Sequence, residues 1–231
     1  MLHQLIQGLS RRLPSQCVVC HAWPSQPVCE SCIGAFAQPA HRCQTCALIV
    51  PSGVRQCGAC IVTPPPLDAC LAAVPYAYPW PQLVADFKFR QQPGWALSFA
   101  QLLRAVPWVE PALDAADLLV PMPLSRQRLR ERGYNQAHEL ACALDGTKVA
   151  HGILLRMVDT PPQSSLPRSE RLLAVQHAYA TDPLHAHRIA HRRIVLLDDV
   201  MTSGASLHAA ARALRQAGAT HITALVLART E

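Results

Sequence analysis

Eight of the ten cysteines stand as four Cys-x-x-Cys pairs: Cys17 with Cys20, Cys29 with Cys32, Cys43 with Cys46, and Cys57 with Cys60. A two-residue spacer lets one tight turn aim two thiolates at a single ion, and zinc takes four such ligands in a tetrahedron with sulfur at about 2.3 Å. Eight thiolates complete two sites. Sequential pairing assigns Cys17, Cys20, Cys29 and Cys32 to one zinc and Cys43, Cys46, Cys57 and Cys60 to the other, although an interleaved pairing satisfies the same chemistry. A disulfide framework, a redox pair or an iron–sulfur cluster would use the same residue type. A redox motif needs only one pair beside a βαβ unit, and here the pair occurs four times. Few large apolar side chains surround the pairs, so metal is expected to supply most of the folding energy of this segment. Cys70 and Cys142 stand alone among small or apolar neighbours and read as buried, inert thiols.

A second constellation lies near the C-terminus, in Ile194-Val195-Leu196-Leu197-Asp198-Asp199-Val200-Met201-Thr202-Ser203-Gly204-Ala205-Ser206. Four apolar residues predict a buried strand, two carboxylates mark its carboxyl end, and a small hydroxyl-rich loop leads into a helix over Leu207 to Ala217. In an open α/β sheet the ligand crevice lies outside the carboxyl ends of the strands. Thr202 to Ser206 has no bulk to keep a phosphate away, offers successive backbone amides and adds hydroxyl donors at the positive end of a helix. Adjacent acids are poor phosphate ligands; Asp198 and Asp199 suit vicinal ribose hydroxyls and a hydrated divalent cation instead. A strand end followed by an ordinary helix cap is the plain alternative, but a cap needs one hydroxyl and this span carries three. A phosphorylated sugar answers both halves of the motif. Upstream, Arg126, Arg128, Arg130 and Arg132 form two i, i+4 rows if helical. That basic ridge suits pyrophosphate, a single-stranded nucleic acid backbone or simply solvent.

These groups need a scaffold. Pro64, Pro65 and Pro66 make a stiff extended link that marks a boundary, giving an N-terminal module over 1–66, with an initial helix ahead of the cysteine pairs, and a body over 67–231. In the body, Gln82 to Arg90, Leu97 to Val106 and Asn135 to Leu144 show helical spacing of apolar residues. Short apolar runs at Leu118 to Val120, Ile153 to Leu155, Ile194 to Leu197 and Ile222 to Leu227 predict strands. Strands buried on both faces and separated by helices imply an α/β fold with a mostly parallel sheet flanked by helices.

With its blocks in order, the chain resembles a known family. The strand, acid pair and loop are similar to the phosphoribosyl-pyrophosphate (PRPP) motif of type I phosphoribosyltransferases, with Ser206 at a usual threonine position. The cysteine pairs, then Val120-Pro121-Met122-Pro123-Leu124, then Arg128-Leu129-Arg130-Glu131-Arg132-Gly133-Tyr134-Asn135-Gln136, then that motif, resemble the ComF family of competence-associated proteins. The resemblance covers essentially the whole chain. It implies a double zinc ribbon ahead of a type I phosphoribosyltransferase-like domain, with Thr202, Ser203, Gly204, Ala205 and Ser206 on the 5′-phosphate and Asp198 and Asp199 at the ribose hydroxyls. Pro121, Met122, Pro123, Leu124 and Ser125, with Arg126 and Arg130, would bind pyrophosphate. Magnesium is implied with PRPP, and Arg156 to Tyr179, with Thr160, Gln163, Leu166 and Arg171, resembles a mobile hood. Ala174 departs from the asparagine expected there. The implied activity is pentosyl transfer from PRPP to an unidentified acceptor, or else handling of single-stranded DNA with a regulatory or vestigial PRPP site.

Composition bounds the rest. Of 231 residues, 50% are hydrophobic and 16% charged, so a packed core is expected rather than a disordered or collagen-like chain. The net charge of +6 suggests an anionic ligand without naming one. Nineteen of the 21 basic residues are arginine, a skew given no functional weight. No stretch of about 20 apolar residues free of charge or clustered proline is present, so no transmembrane span is expected. Arg11 and Arg12 follow rather than precede the first apolar residues, the wrong order for a secretory signal, so a cytoplasmic location is expected.

Overall fold

The computed structural model describes residues 15–157 and 178–231. The expected N-terminal helix, and Thr160, Gln163, Leu166, Arg171 and Ala174 of the hood, lie outside them. The chain divides into two compact units, Met1–Gln38 and Pro39–Glu231.

In the first unit Ser15 bridges Ser25, and α1 (Glu30–Phe36) begins directly after Cys29 and buries Cys32. The second unit opens with the same device. Arg42 bridges Ile49, and the short α2 (Gly58–Val62) starts directly after Cys57 and buries Cys60. The proline run Pro64–Pro66 lies inside this unit, downstream of the second set of cysteines.

Four parallel strands follow in the spatial order β1 (Ala69–Pro75), β6 (His221–Arg229), β5 (Arg193–Met201) and β2 (Leu118–Pro121). Intervening helices are α3 (Trp80–Phe89), α4 (Trp95–Arg104), α5 (Val109–Ala115), α6 (Arg126–Arg132), α7 (Gln136–Asp145) and α8 (Ala205–Gln216). Parallel strands need crossovers, and helices crossing over cover the sheet. Alternation sorts the strand side chains into two layers. Ile194, Leu196, Ile222, Ala224, Val226, Cys70, Ala72 and Val120 share one core with Leu207, Ala210 and Leu214 of α8. Val195, Leu197, Leu225, Leu227 and Leu119, between them in the strands, are buried as well, on the opposite face, where α4 packs on β6 and α7 on β5. The expected mostly parallel sheet with flanking helices is what the chain builds.

Two elements differ from expectation. β1 reads ACLAAVP, and its small residues hid a strand that pairs with β6 along its length. The run at Ile153 to Leu155 forms β3 (Leu154–Arg156), which pairs antiparallel with β4 (Tyr179–Thr181) in a separate ribbon packed on α8. Its three residues are too few to carry a layer of the main sheet.

Register places the loops. Pro121 lies beside Leu197, and the Met122 amide extends the ladder to the Leu197 carbonyl at 2.8 Å. The turn after β2 and the loop after β5 therefore leave the same end of adjacent strands.

Candidate functional site

At that end sits a cavity of about 560 Å³. Asp198, Asp199 and the whole of Thr202 to Ser206 line it, as do Met122, Pro123 and Leu124 from the turn after β2. The two segments singled out as sugar-phosphate and pyrophosphate loops thus face one space. Gly204 makes the bend: its φ of +79° is left-handed, a conformation glycine adopts without a steric penalty, and it caps α8. Thr202 and Ser203 are exposed on the cavity rim, and the Ser203 hydroxyl accepts from the Ala205 amide at 3.4 Å. Tyr179 of the β3–β4 ribbon lines the same space, with the Arg156 guanidinium carbon 5.7 Å from its ring centre.

The acids are not equivalent. Asp199 is 2% exposed, and its Oδ1 takes an ion pair from Lys88 Nζ at 2.8 Å, while its Oδ2 is buried without a partner. Burial pushes Asp198 up to about 7, the negative charge of Asp199 adds to the rise, and Lys88 opposes it. Lys88, near the end of α3, also lines the cavity. Sequence reasoning passed it over. Its one signal in the sequence is rarity, as one of two lysines in an arginine-rich chain.

The arginine ridge is helical, as α6, and its two rows have different fates. Arg128 and Arg132 are half-buried and line the cavity, whereas Arg126 and Arg130 are exposed and do not. Arg132 packs its guanidinium carbon 4.9 Å above the Phe89 ring, and its Nη1 is buried with no partner. Ser125 does not face the cavity either. It is buried as the N-cap of α6, accepting from the Arg128 amide at 3.3 Å. Pro121 is taken up in β2.

The run from Gly133 to Gln136 joins α6 to α7. Gly133 ends α6 in the left-handed conformation, and Asn135 caps α7 while its side-chain amide donates to the Met122 carbonyl at 3.0 Å, pinning the turn after β2. Tyr134 is a packing residue: its hydroxyl donates to the Phe87 carbonyl, next to Lys88. Gln136 is buried on the cavity wall with Oε1 unpartnered. Buried polar atoms in native proteins are nearly always paired. Asp199 Oδ2, Arg132 Nη1 and Gln136 Oε1 are three unpaired atoms on residues lining one cavity.

Both cysteine sets are gathered in the sequential pairing, the four sulfurs of each lying within 4.8 Å of one another. Sulfur separations are 3.8 Å for Cys17–Cys32, 3.6 Å for Cys20–Cys29 and 3.7 Å for Cys46–Cys57. A zinc–sulfur bond of about 2.3 Å requires tetrahedral edges of about 3.8 Å, so the donors fit zinc. Backbone amides lower one thiol in each set, whereas burial pushes Cys32 up to about 12 and raises Cys46 and Cys60. Burial alone would raise Cys17, but the amides of Cys20, Cys29 and Val19 outweigh it and bring the thiol down to about 6; Cys43 reaches about 6 in the same way, with the Cys57 amide 3.3 Å from its sulfur.

The isolated cysteines part company. Cys70 is buried on β1, its thiol pushed up to about 12 by burial, with its sulfur 3.6 Å from Met201 Sδ. Cys142 is exposed on α7, contrary to the expected burial, because Ala141 and Leu144 take the inward face of that helix.

Comparison with known proteins agrees with this geometry. Residues 142–231 match the phosphoribosyl transferase domain family. Competence protein ComFC of Bacillus subtilis is 40% identical over 118 residues, which is 51% of this chain and 46% of that one, so the match spans about half of that relative. DNA utilization protein YhgH of Salmonella typhimurium is 27% identical over 94% of this chain and 98% of its own. Competence protein F of Haemophilus influenzae is 28% identical over 87% and 88%. A phosphoribosyl transferase domain behind two four-cysteine clusters, with competence and DNA utilization proteins as relatives along its length, fits a protein of the ComF family.

Proposed function

We propose that the cavity binds PRPP, and that the chain is a phosphoribosyltransferase-like protein of the ComF type whose two cysteine clusters each hold one zinc. The observation that carries this reading is a cavity in which the acid pair, Arg128 and Arg132 meet a small, hydroxyl-rich loop at a helix start. The volume lies within the range of about 300–1,000 Å³ that small-molecule sites occupy. Thr202 to Ser206 would take the 5′-phosphate, Asp198 and Asp199 the ribose hydroxyls, and Arg128 and Arg132 the pyrophosphate. Asp198 and Asp199 would also hold magnesium, for which the unpaired Asp199 Oδ2 is a suitable donor. Bound magnesium would neutralise charge on a departing pyrophosphate. The residues of the chain then position: amides and arginines fix the two phosphate ends, the acid pair fixes the diol, and Lys88 holds Asp199 through their ion pair.

Calorimetric titration with PRPP and magnesium tests the reading. Saturable binding is expected, and the Asp198→Asn, Asp199→Asn double variant should lose it; no binding by the intact protein would remove the assignment.

Arg126 and Arg130 favour a second reading. They form an exposed basic row beside the cavity that no phosphate inside it uses, and relatives of the chain are named for DNA utilization. Handling of single-stranded DNA predicts salt-dependent binding that falls in an Arg126→Ala, Arg130→Ala variant and survives the aspartate changes.

A further inference from the structure

Arg229, near the last turn of chain, reaches from the second cysteine cluster to the loop after β5. Its side chain is buried, 9% exposed at the end of β6. Nε donates to the carbonyl of Cys46 at 2.9 Å. Nη1 donates to the Thr202 carbonyl at 2.6 Å and to the Met201 carbonyl at 3.3 Å. One planar, rigid fork therefore holds a metal-ligand turn and the first residue of the proposed phosphate loop at once.

Two further links run in parallel. The Cys70 amide donates to the Gln44 carbonyl, inside the Cys43–Cys46 turn, at 2.7 Å, and its sulfur touches Met201. Arg42 donates to the Ala47 carbonyl at 3.0 Å and adds a second, half-buried guanidinium to the same turn. Among the described residues no carboxylate forms an ion pair with Arg229 or Arg42. Glu231 supplies some negative charge to Arg42, and four thiolates around one zinc, with a net charge of about −2, would supply counter-charge to both cations.

The link to ligand binding is planar geometry. In a trans peptide the carbonyl and the following amide point in opposite directions. Fixing the Met201 and Thr202 carbonyls toward Arg229 thus fixes the Thr202 and Ser203 amides away from it, at the start of the loop that lines the cavity.

We propose that Arg229 is a positioning residue that couples the second cysteine cluster to the phosphate loop, so that anion binding in the cavity depends on metal occupancy at Cys43, Cys46, Cys57 and Cys60. This rests on reading Thr202 to Ser206 as a phosphate cradle. The first cluster, in the other compact unit, is not part of the coupling.

The test uses the full zinc-loaded chain, with hydrogen exchange of the Thr202–Ser206 amides and calorimetric affinity for PRPP with magnesium as separate readouts. Three variants are compared: Arg229→Lys, which keeps the charge and loses the fork; Cys57→Ser with Cys60→Ser, which empties the second cluster without touching the Cys46 carbonyl; and Cys29→Ser with Cys32→Ser at the first cluster. The first two should speed loop exchange at least about tenfold, the worth of one hydrogen bond to a charged group, and weaken PRPP by a similar factor. The third should leave both unchanged. Protection of Ile194 to Leu197 in β5 reports whether the sheet is intact. Unchanged loop exchange in Arg229→Lys overturns the proposal, as does an equal effect from the first cluster, or an intact sheet with an unaltered loop after the second cluster is emptied. Loss of β5 protection in Arg229→Lys would mark a merely structural arginine and overturn it too. If the Cys57, Cys60 variant alone loses β5 protection, chelator titration of the intact chain takes its place, and loop exchange that follows zinc loss before β5 does is the supporting result. Absence of PRPP binding by the intact chain would defeat the functional reading, while the exchange data still decide the coupling.

Discussion

Asp198 and Asp199 are neighbours in sequence that meet different electrostatic conditions. Asp199 has a cation at 2.8 Å; Asp198 has burial and the charge of Asp199 against it, and stands at about 7. An acid whose pKa is raised in the folded state holds its proton there while the unfolded chain has released it. Stability therefore falls as pH rises from the ordinary carboxylate range through about 7, and Asp198→Asn should flatten that slope in urea titrations at stepped pH. Ligand binding has the opposite dependence. Hydroxyl donors and cations favour the carboxylate, so PRPP affinity should rise between pH 6 and pH 8, with about one proton released on binding at the lower pH, read by calorimetry in buffers of different ionisation heat. Lys88 is the counterpart. Its removal leaves the buried Asp199 carboxyl without its ion-pair partner, so Lys88→Ala should cost about 3 kcal/mol of unfolding free energy, and adding Asp199→Asn should recover part of it. The acids were legible because a strand, two carboxylates and a small loop are contiguous. Lys88 was not, since only the crossover from β1 to β2 brings α3 to the end of β5. Cys142 shows the converse error, as alanine and leucine neighbours on a helix say nothing about which face a residue takes. Iodoacetamide should modify it first in the zinc-loaded chain, with Cys70 inert until unfolding, as peptide mapping would show.

At the level of elements, the loop after β5 is held by what lies beneath it. A Cβ on Gly204 would stand 2.5 Å from Met201 Cε and 2.9 Å from His208 Nε2, in a left-handed conformation that alanine resists. His208 there is kept neutral by burial, its pKa brought down to about 4, so it adds no charge of its own to the loop. Gly204→Ala should therefore destabilise by about 1–3 kcal/mol, the usual range for a residue forced into a sparsely populated backbone region, and should weaken PRPP binding more than Ser203→Ala does. Thermal unfolding and titration of both variants give the comparison. Helix α6 shows how far pattern reading goes. Spacing gave both i, i+4 rows of arginine; which row turns inward was set by the angle at which Ser125 starts the helix and Gly133 ends it, and no period encodes that angle. The β1 strand was missed for a related reason. Its alanines carry little strand propensity and are held in the sheet by pairing with β6, more than 150 residues further on.

For the molecule as a whole, the open matter is where the independently folding body begins. Proline stiffness and the change in sequence texture point to residue 66, while the compact units divide between Gln38 and Pro39. The second cysteine cluster decides what each boundary implies. Cys43, Cys46, Ala47, Val50 and Cys60 are buried in the same core as Leu67, Cys70, Ala72 and the apolar face of α8, and Arg229 gives its Nε donor to the Cys46 carbonyl. Cutting at 66 removes one wall of that core and leaves a buried guanidinium with an unmade hydrogen bond, a loss on the order of 1–3 kcal/mol before any apolar exposure is counted. Among the described residues, cutting at 38 removes the first cluster and its short helix. A fragment of residues 39–231 should thus unfold cooperatively and bind close to one equivalent of zinc, with PRPP affinity near that of the intact chain. A fragment of 67–231 should show a lower and broader melting transition, bind a hydrophobic dye and lose most of its affinity. Equal stability of the two fragments would place the working boundary at the prolines and reduce the second cluster to an appendage, and it would leave Arg229 with nothing to transmit.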